Sequence, residues 1–218
     1  MTLTLYAHPF ASYCWKVAIA LDENATPFTY REIDLGDPDS AAQLERLWPF
    51  KKFPVLVDGE KSVIESTIII EYLSLNYPGR ARLLPVDAAA ALDVRFVDRF
   101  FDNYVHAPVQ AIVSDAMRGE KRDAQVVARA RSTVDTAYAW LERRMENQEW
   151  AVADHFSLAD CSAAPALFYA DWVHPIGDAF PSVRAYRNRL NARPSVLRTI
   201  DKARPYRHLF PLGAPDRD

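Results

Sequence analysis

Short apolar runs alternate with helical stripes over the first eighty residues. The segment 2–7 alternates apolar and polar positions, which predicts a β-strand. The segment 14–21 places apolar side chains on one helical stripe, and 28–33 follows Pro27 as a second strand. A short helical region is predicted over 40–47. The order is therefore strand, helix, strand, helix.

The next stretch, 51–72, predicts a hairpin followed by a helix. The run 55–57 is short, apolar and mostly β-branched, and Asp58-Gly59 after it is a strong signal for a tight turn. The segment 61–64 can return as the second strand. Apolar residues then recur at helical spacing after Glu65. This β-α-β then β-β-α order is the thioredoxin-like arrangement, and it predicts a first domain over 1–79.

Strand signals disappear after a linker at 80–87. A helical pattern extends from residue 88 to about 117, with Pro108 predicted to kink it. A charged turn at 119–123 leads into a long helix that ends near residue 147. We therefore predict an all-α second domain over 88–218.

A capping motif marks the start of a later helix. Ser157 can cap that helix, and Asp160, three residues on, can reach back to the Ser157 N–H. Phe156 and Cys161 have the spacing of a hydrophobic staple. Asp160 is therefore predicted to be structural, and Cys161 a buried thiol rather than a nucleophile.

The composition argues against nucleic-acid-binding, membrane-spanning and secreted classes of protein. The chain has 218 residues, half of them hydrophobic and a quarter charged, with a net charge of −3. That balance predicts a soluble protein without a nucleic-acid surface. No apolar run is long enough to span a membrane, and no secretory signal is recognisable. Cys14 and Cys161 are far apart and form no disulfide or metal pattern, so a cytoplasmic protein without a metal is expected.

Two places in the hairpin segment carry chemistry. If the Phe53–Pro54 bond is cis, Phe53 turns its own N–H and C=O outward, where an extended peptide can pair with them. Glu65 and Ser66 stand at a helix start, where free N–H groups attract a carboxylate and Glu65 offers a counter-charge for an amine. Together they fit a small peptide with a free α-amino-acid end. The alternative is a plain helix start.

These residues resemble the glutathione transferase family. The resemblance rests on Phe53-Pro54-Val55-Leu56, Ile64-Glu65-Ser66-Thr67-Ile68 and Glu71-Tyr72-Leu73. It implies a glutathione transferase fold, with a thioredoxin-like α/β N-terminal domain and an all-α C-terminal domain, and a homodimer. It also implies that Phe53, before a cis Pro54, pairs with the cysteinyl backbone of glutathione, that Glu65 and Ser66 hold its γ-glutamyl group, and that Lys52 pairs with its glycine carboxylate. Glutathione would be the co-substrate, without a metal.

The family activates the glutathione thiol with a side chain in the loop after the first strand. Aligned on Trp15-Lys16-Val17, the serine of many bacterial relatives falls at Ala11, so Ser12, one residue later, is the predicted catalytic donor. Three alternatives remain. Ser12 can instead be an N-cap. The backbone N–H groups of Ser12 or Tyr13 can hold the sulfur. Cys14 can form a mixed disulfide with glutathione.

The resemblance also implies a site for a second substrate. Tyr13 is predicted to line it, together with Tyr104, His106 and Pro108 on the first long helix of the second domain. The helix residues could equally be core or dimer contacts. The expected reaction adds the glutathione thiolate to a small apolar electrophile. The alternatives are glutathione-dependent disulfide reduction and a non-catalytic protein-binding module.

Overall fold

The first half of the chain is a small sheet covered by helices. A computed structural model describes residues 3–152 and 154–218, so Thr2, at the start of the first predicted strand, lies outside the described residues. The elements of this half are β1 (Leu3–Ala7), α1 (Ser12–Glu23), β2 (Phe28–Glu32), α2 (Pro38–Leu47), β3 (Val55–Asp58), β4 (Lys61–Ile64) and α3 (Ser66–Asn76). The predicted strand and helix order is confirmed, and α1 and α2 begin two residues earlier than their patterns indicated.

The sheet is mixed, with the order β2-β1-β3-β4. The strand β1 pairs parallel with β2 and antiparallel with β3, and β3 pairs antiparallel with β4. Side chains alternate between its two faces. Leu3, Leu5 and Ala7 are buried in the main core beside α1 and α3, whereas Val55 joins a smaller cluster under α2.

Helices build the second half of the described chain. They are α4 (Ala88–Phe100), α5 (Ala107–Ala116), α6 (Ala124–Met145), α7 (Leu158–Val173), α8 (Pro181–Ala192) and α9 (Pro194–Ala203). Almost every side chain of α7 is buried, and α7 packs against both α1 and α4. A helix that is apolar on all sides belongs at the centre of a fold, and α7 is the core that joins the two halves.

The predicted capping box at the start of α7 is confirmed. The Asp160 carboxylate accepts a hydrogen bond from the Ser157 N–H at 2.8 Å, and the Ser157 hydroxyl accepts one from the Ala159 N–H at 3.3 Å. Asp160 also accepts bonds from the Ala151 N–H at 2.9 Å and the Tyr186 hydroxyl at 2.6 Å. Cys161 is fully buried, and burial raises the pKa of its thiol. Both residues therefore support the fold.

The segment predicted to be helical from residue 88 to about 117, with a kink at Pro108, is helical over this range, but it is not one regular α-helix. It is two α-helices joined by a π-helical segment, Phe101–His106. Pro108 has no N–H, and a proline in a regular helix clashes with the carbonyl four residues earlier. The Ala107 N–H bonds to the carbonyl of Asp102, five residues back, so one extra residue is accommodated ahead of the proline. Pro108 then sits in the first turn of α5, where proline is tolerated.

Two negative findings apply to the described residues. Among them, no helix combines the length and apolar character that crossing a bilayer requires. No group of three or more His, Cys, Asp or Glu side chains in the same ranges is arranged to hold a metal ion.

Candidate active site

Two adjoining pockets lie between the halves of the molecule. The polar pocket, of about 210 Å³, is lined by Tyr13, Trp48, Lys52, Phe53, Pro54, Ile64, Glu65, Ser66, Arg99, Asp102 and Asn103. The apolar pocket, of about 410 Å³, is lined by Phe10, Ala11, Ser12, Tyr13, Phe53, His106, Val109, Gln110, Val113, Met117, Tyr169, Leu209, Phe210 and Pro211. Tyr13 and Phe53 belong to both. The pockets therefore meet beside the start of α1.

The hairpin segment supplies the floor of the polar pocket. The Phe53–Pro54 peptide bond is cis, and it directly precedes β3. Phe53 takes no part in the pairing of β3 with β1 or β4 in the described sheet. Lys52 lines this pocket, whereas Lys51 pairs with Glu45 at 3.0 Å on the surface. The structure thus brings all five predicted glutathione-binding residues, including Glu65 and Ser66, into one pocket.

The start of α3 faces this pocket with its positive end. Ser66 is the first helical residue, and Glu65 before it has a φ of 67° with no side-chain cap on the helix. A left-handed conformation in a residue other than glycine costs about 1–3 kcal/mol, and such residues cluster at functional sites. Uncapped N–H groups and the helix dipole favour an anion here. The Glu65 carboxylate beside them favours a cation.

Sequence reasoning missed the contribution of the helical half to this pocket. Arg99, Asp102 and Asn103 reach it from the end of α4 and the π-helical segment. The lining therefore carries two cations, Lys52 and Arg99, and two carboxylates, on Glu65 and Asp102. This mixture suits a zwitterion better than a simple anion. The sequence signal that could have indicated this contribution is the presence of the charged residues Arg99 and Asp102 beside the apolar residues of this helical stretch.

A buried cluster of charged side chains lies beneath the polar pocket and holds its helices together. Lys16 is 1% exposed, and its Nζ lies 2.5 Å from Asp98, 3.1 Å from Asp102 and 2.8 Å from the Thr67 hydroxyl. Burial alone would raise the pKa of Asp98, but the Lys16 charge and hydrogen bonds outweigh it and lower that pKa. Burial does raise the pKa of Asp102. The cluster ties the start of α3 to α1 and α4.

Ser12 occupies the start of α1 but does not cap it. Ala11 is the N-cap and offers no side-chain hydrogen bond, so the N-cap alternative for Ser12 is wrong. The Ser12 Oγ instead lies 2.9 Å from Nε2 of His106. Among the described residues, the N–H groups of Ser12 and Tyr13 have no backbone acceptor outside the helix. Ser12 lines the apolar pocket and is followed by Tyr13, which lines both pockets, so a hydroxyl and two N–H groups stand next to the place where the pockets meet.

Tyr13, which lines both pockets, packs against His106 of the apolar pocket. Their ring centroids are 4.5 Å apart in an edge-to-face arrangement. Burial, and then the nearby Asp102 carboxylate, raise the pKa of Tyr13, so its phenol keeps its proton. Burial and the charge of Lys16 lower the pKa of His106 to about 4. Both rings are therefore neutral near pH 7.

Cys14 does not line either pocket. It is 1% exposed, and burial raises the pKa of its thiol to about 12. It borders a separate cavity of about 230 Å³ between α1, β2 and α9. A reactive cysteine needs a lowered pKa and access, and Cys14 has neither.

The helical wall of the apolar pocket differs from the predicted one. His106, which was predicted to line it, does so, and it is joined at spacings of three and four residues by Val109, Gln110, Val113 and Met117. Tyr104 and Pro108 each stand two residues from His106, which is about 200° around a helix. They line neither pocket, and Tyr104 packs on Phe100 at 5.7 Å. The prediction that Tyr104 and Pro108 line the second-substrate site is therefore wrong, because both lie on another side of the helix from His106.

Comparisons with known proteins agree with this architecture. The family model for the glutathione S-transferase N-terminal domain matches residues 5–81, and the model for the C-terminal domain matches residues 100–194. The chain is 30% identical to glutathione S-transferase 3 of Zea mays over 212 residues, covering 91% of this chain and 93% of that protein. It is 26% identical to a probable maleylacetoacetate isomerase of Vibrio cholerae, covering 94% and 98%.

A solved structure gives the same result in three dimensions. The glutathione S-transferase of Methylobacillus flagellatus with GSH bound is similar to this chain at a TM-score of 0.82 and 25% identity, over 91% of this chain and 98% of that one. The two family models together match more than half of the sequence. On these grounds, the chain belongs to the glutathione S-transferase family.

Proposed function

We propose that this glutathione transferase joins the sulfur of glutathione to a small apolar electrophile. The observation that carries the proposal is the meeting of a zwitterionic pocket and an apolar pocket at Tyr13 and Phe53, with Ser12 beside Tyr13 on the apolar side. A peptide thiol bound in the first would place its sulfur beside an electrophile bound in the second. Holding two reactants in this way supplies much of the rate enhancement of a bimolecular reaction.

Glutathione would lie across the polar pocket along the edge of the sheet. Its γ-glutamyl carboxylate would bind the start of α3 at Ser66, and its ammonium group would face Glu65. The backbone of Phe53, before Pro54, would pair with the cysteinyl unit, and Lys52 would pair with the glycine carboxylate. The GSH bound to the Methylobacillus flagellatus relative supports glutathione as the ligand.

The reaction would need a thiolate. The start of α1 offers a positive field, and Ser12 offers a hydroxyl as catalytic donor. The thiolate sulfur attacks the electrophilic carbon and forms a C–S bond, while the leaving group departs with the electron pair of the bond that breaks. The thiol proton passes to solvent. The protein's part is to orient glutathione and to stabilise the sulfur charge.

The second substrate is proposed to be apolar and uncharged. In the described structure, the lining of the apolar pocket contains no lysine or arginine, and its one imidazole, on His106, is neutral near pH 7. Burying a carboxylate there without a partner would be costly. This argues against the anionic substrate that the name of the Vibrio cholerae relative implies. Disulfide reduction through Cys14 is disfavoured by the burial of its thiol.

We also propose a homodimer. The Glu71–Arg95 ion pair, at 2.8 Å, links α3 and α4 on the surface. Exposed apolar side chains lie within a turn of it on both helices: Ile68, Leu75, Leu92 and Phe96. A second copy of the chain would cover this surface. Leu92→Glu should yield monomers in sedimentation analysis, while Leu197→Glu on α9 leaves the assembly unchanged. A wild-type protein that sediments as a monomer would contradict the homodimer.

A paired measurement tests the proposed function. Calorimetry would give the glutathione affinity, and a conjugation assay with an aryl halide would give turnover of the same preparation. Binding together with turnover supports a conjugating transferase. We propose that it acts in the cytoplasm, where glutathione is reduced. Binding without turnover of aryl halides or disulfides would favour a non-catalytic module. Activity on disulfide substrates alone would favour the reductase alternative.

A further inference from the structure

A buried histidine contacts the hydroxyl that we assign to thiol activation. His106 is 3% exposed, and its Nε2 lies 2.9 Å from the Ser12 Oγ. The contact joins the π-helical segment of the second half to the first turn of α1. Because the imidazole can either donate to or accept from this hydroxyl, it determines where the hydroxyl hydrogen points.

The Ser12 hydroxyl has a single hydrogen to donate. If Nε2 of His106 accepts that hydrogen, none remains for a bound sulfur. If Nε2 carries a hydrogen and donates it to the Ser12 Oγ, the serine hydrogen is free to point elsewhere. A thiolate only accepts hydrogen bonds, so its presence beside Ser12 favours the second arrangement. In that arrangement the two bonds form a chain in which each strengthens the other.

We propose that His106 is a positioning residue, whose Nε2–H donates to the Ser12 Oγ and turns the serine hydroxyl hydrogen toward the glutathione sulfur. This inference rests on the proposed function, because it needs glutathione in the polar pocket with its sulfur at Ser12. It extends that function by adding a residue from the helical half to the thiol-activating group. The Tyr13 ring packs edge-to-face with the imidazole, with 4.5 Å between the ring centroids, and holds it in place.

The surroundings of His106 favour a donor over a proton-accepting base. Tyr13 and Lys16 on α1 and Asp102 on the π-helical segment are the titratable groups that share its small cavity, and α7 contributes only Ser162, Pro165 and Ala166 there. Burial and the Lys16 charge lower the pKa of His106 to about 4. A base that weak would not retain the proton of a thiol, whose ordinary pKa is about 8.5. A neutral imidazole that donates from Nε2 is consistent with this environment.

Two amide substitutions at His106 test whether a donor at the position of Nε2 is needed, because both side chains are polar but only one reaches Ser12. The amide nitrogen of glutamine in His106→Gln falls near the place of Nε2 and can donate to Ser12. The side chain in His106→Asn is one carbon shorter and cannot. The measured quantity is the pKa of the thiol of bound glutathione, taken from thiolate absorbance against pH at saturating glutathione. Val105→Ala is the matched control, because it loosens the same segment without touching Ser12 or either pocket.

The expected pattern is specific. His106→Asn and Ser12→Ala should each raise the pKa of the bound thiol by about one unit, which is about tenfold less thiolate at a given pH. The double variant should raise it no further, because both changes remove the same interaction. His106→Gln should stay close to wild type. Val105→Ala should lower the melting temperature and leave the thiol pKa unchanged.

Other results would overturn the inference in distinguishable ways. An unshifted thiol pKa in His106→Asn, with a raised one in Ser12→Ala, would remove His106 and keep Ser12. If His106→Gln behaves like His106→Asn, the donor role is wrong. If Ser12→Ala has no effect, the inference fails, and the backbone N–H groups of α1 hold the sulfur. Wild-type protein that does not bind glutathione in calorimetry would instead contradict the proposed function itself.

Discussion

The polar pocket and the apolar pocket share two residues but are assembled in different ways. Most of the polar lining comes from the continuous stretch 52–66, in which a hairpin and a helix start arrange the groups locally. The apolar lining is collected from distant parts of the chain: the loop before α1 and the first turn of α1, Phe53, α5 and its π-helical entry, Tyr169 of α7, and the segment after α9. A local motif fixes the ligand chemistry of the first pocket, whereas tertiary packing fixes the shape of the second.

The largest expected effect comes from the buried charge cluster beneath the polar pocket. Lys16→Met leaves the carboxylates of Asp98 and Asp102 buried without their ammonium partner. Breaking a buried ion pair from one side costs about 3–5 kcal/mol, so we expect a loss of this size in the free energy of unfolding measured by urea denaturation. Lys51→Met, which removes an exposed pair with Glu45, should cost less than about 1 kcal/mol.

The pH dependence of this loss has a definite sign. In the wild type the pKa of Asp98 is lowered, so its contribution to stability is present above the unfolded pKa of about 3.9 and disappears as pH falls through the folded pKa. Without the charge and hydrogen bond of Lys16, the pKa of Asp98 rises from its wild-type value, with Ser162 and Arg99 still acting to lower it. The folded variant then binds protons more readily, and its deficit should shrink as pH falls from 7 to 5. A deficit that grows over this range would contradict the account.

The next test affects the polar pocket alone. Glu65→Ala and Ser66→Ala should each weaken glutathione binding in calorimetry by about tenfold to a hundredfold, because each removes a polar contact to a charged group of the ligand. The fold should remain intact by circular dichroism. Glu60→Ala, at the exposed hairpin turn, is the control and should bind like wild type. Unchanged affinity in both site variants would refute the assignment of the γ-glutamyl group.

The smallest effect is expected in the apolar pocket. Val113→Ala shortens a side chain that α5 contributes to the pocket lining, and so enlarges the pocket. It should lower kcat/KM for a small electrophile by up to about tenfold through lost apolar contact. The glutathione affinity should not change. Ser114→Ala, on the exposed side of the same helix, should leave both quantities unchanged. A matching loss of glutathione affinity in Val113→Ala would show that the two pockets are not separable.

The sequence was informative where structure is local. The hairpin, the start of α3 and the capping box of α7 were predicted because turn chemistry and capping act over a few residues. Arg99 and Asp102 were missed because their place in the polar pocket depends on how α4 packs against α1 and α3. Tyr104 and Pro108 were misplaced because the packing of this helix decides which of its faces lines the apolar pocket, and that face is the one that carries His106. The sequence pattern alone does not show which face this is.

The segment Phe101–His106 has an evolutionary consequence. It sits between the charged end of α4, which lines the polar pocket, and the face of α5 that lines the apolar pocket. A one-residue insertion or deletion absorbed there would rotate all of α5 while leaving Asp98 and Arg99 where they are. A lineage could thus exchange the α5 wall of the apolar pocket in a single event, with no substitution on α5 itself.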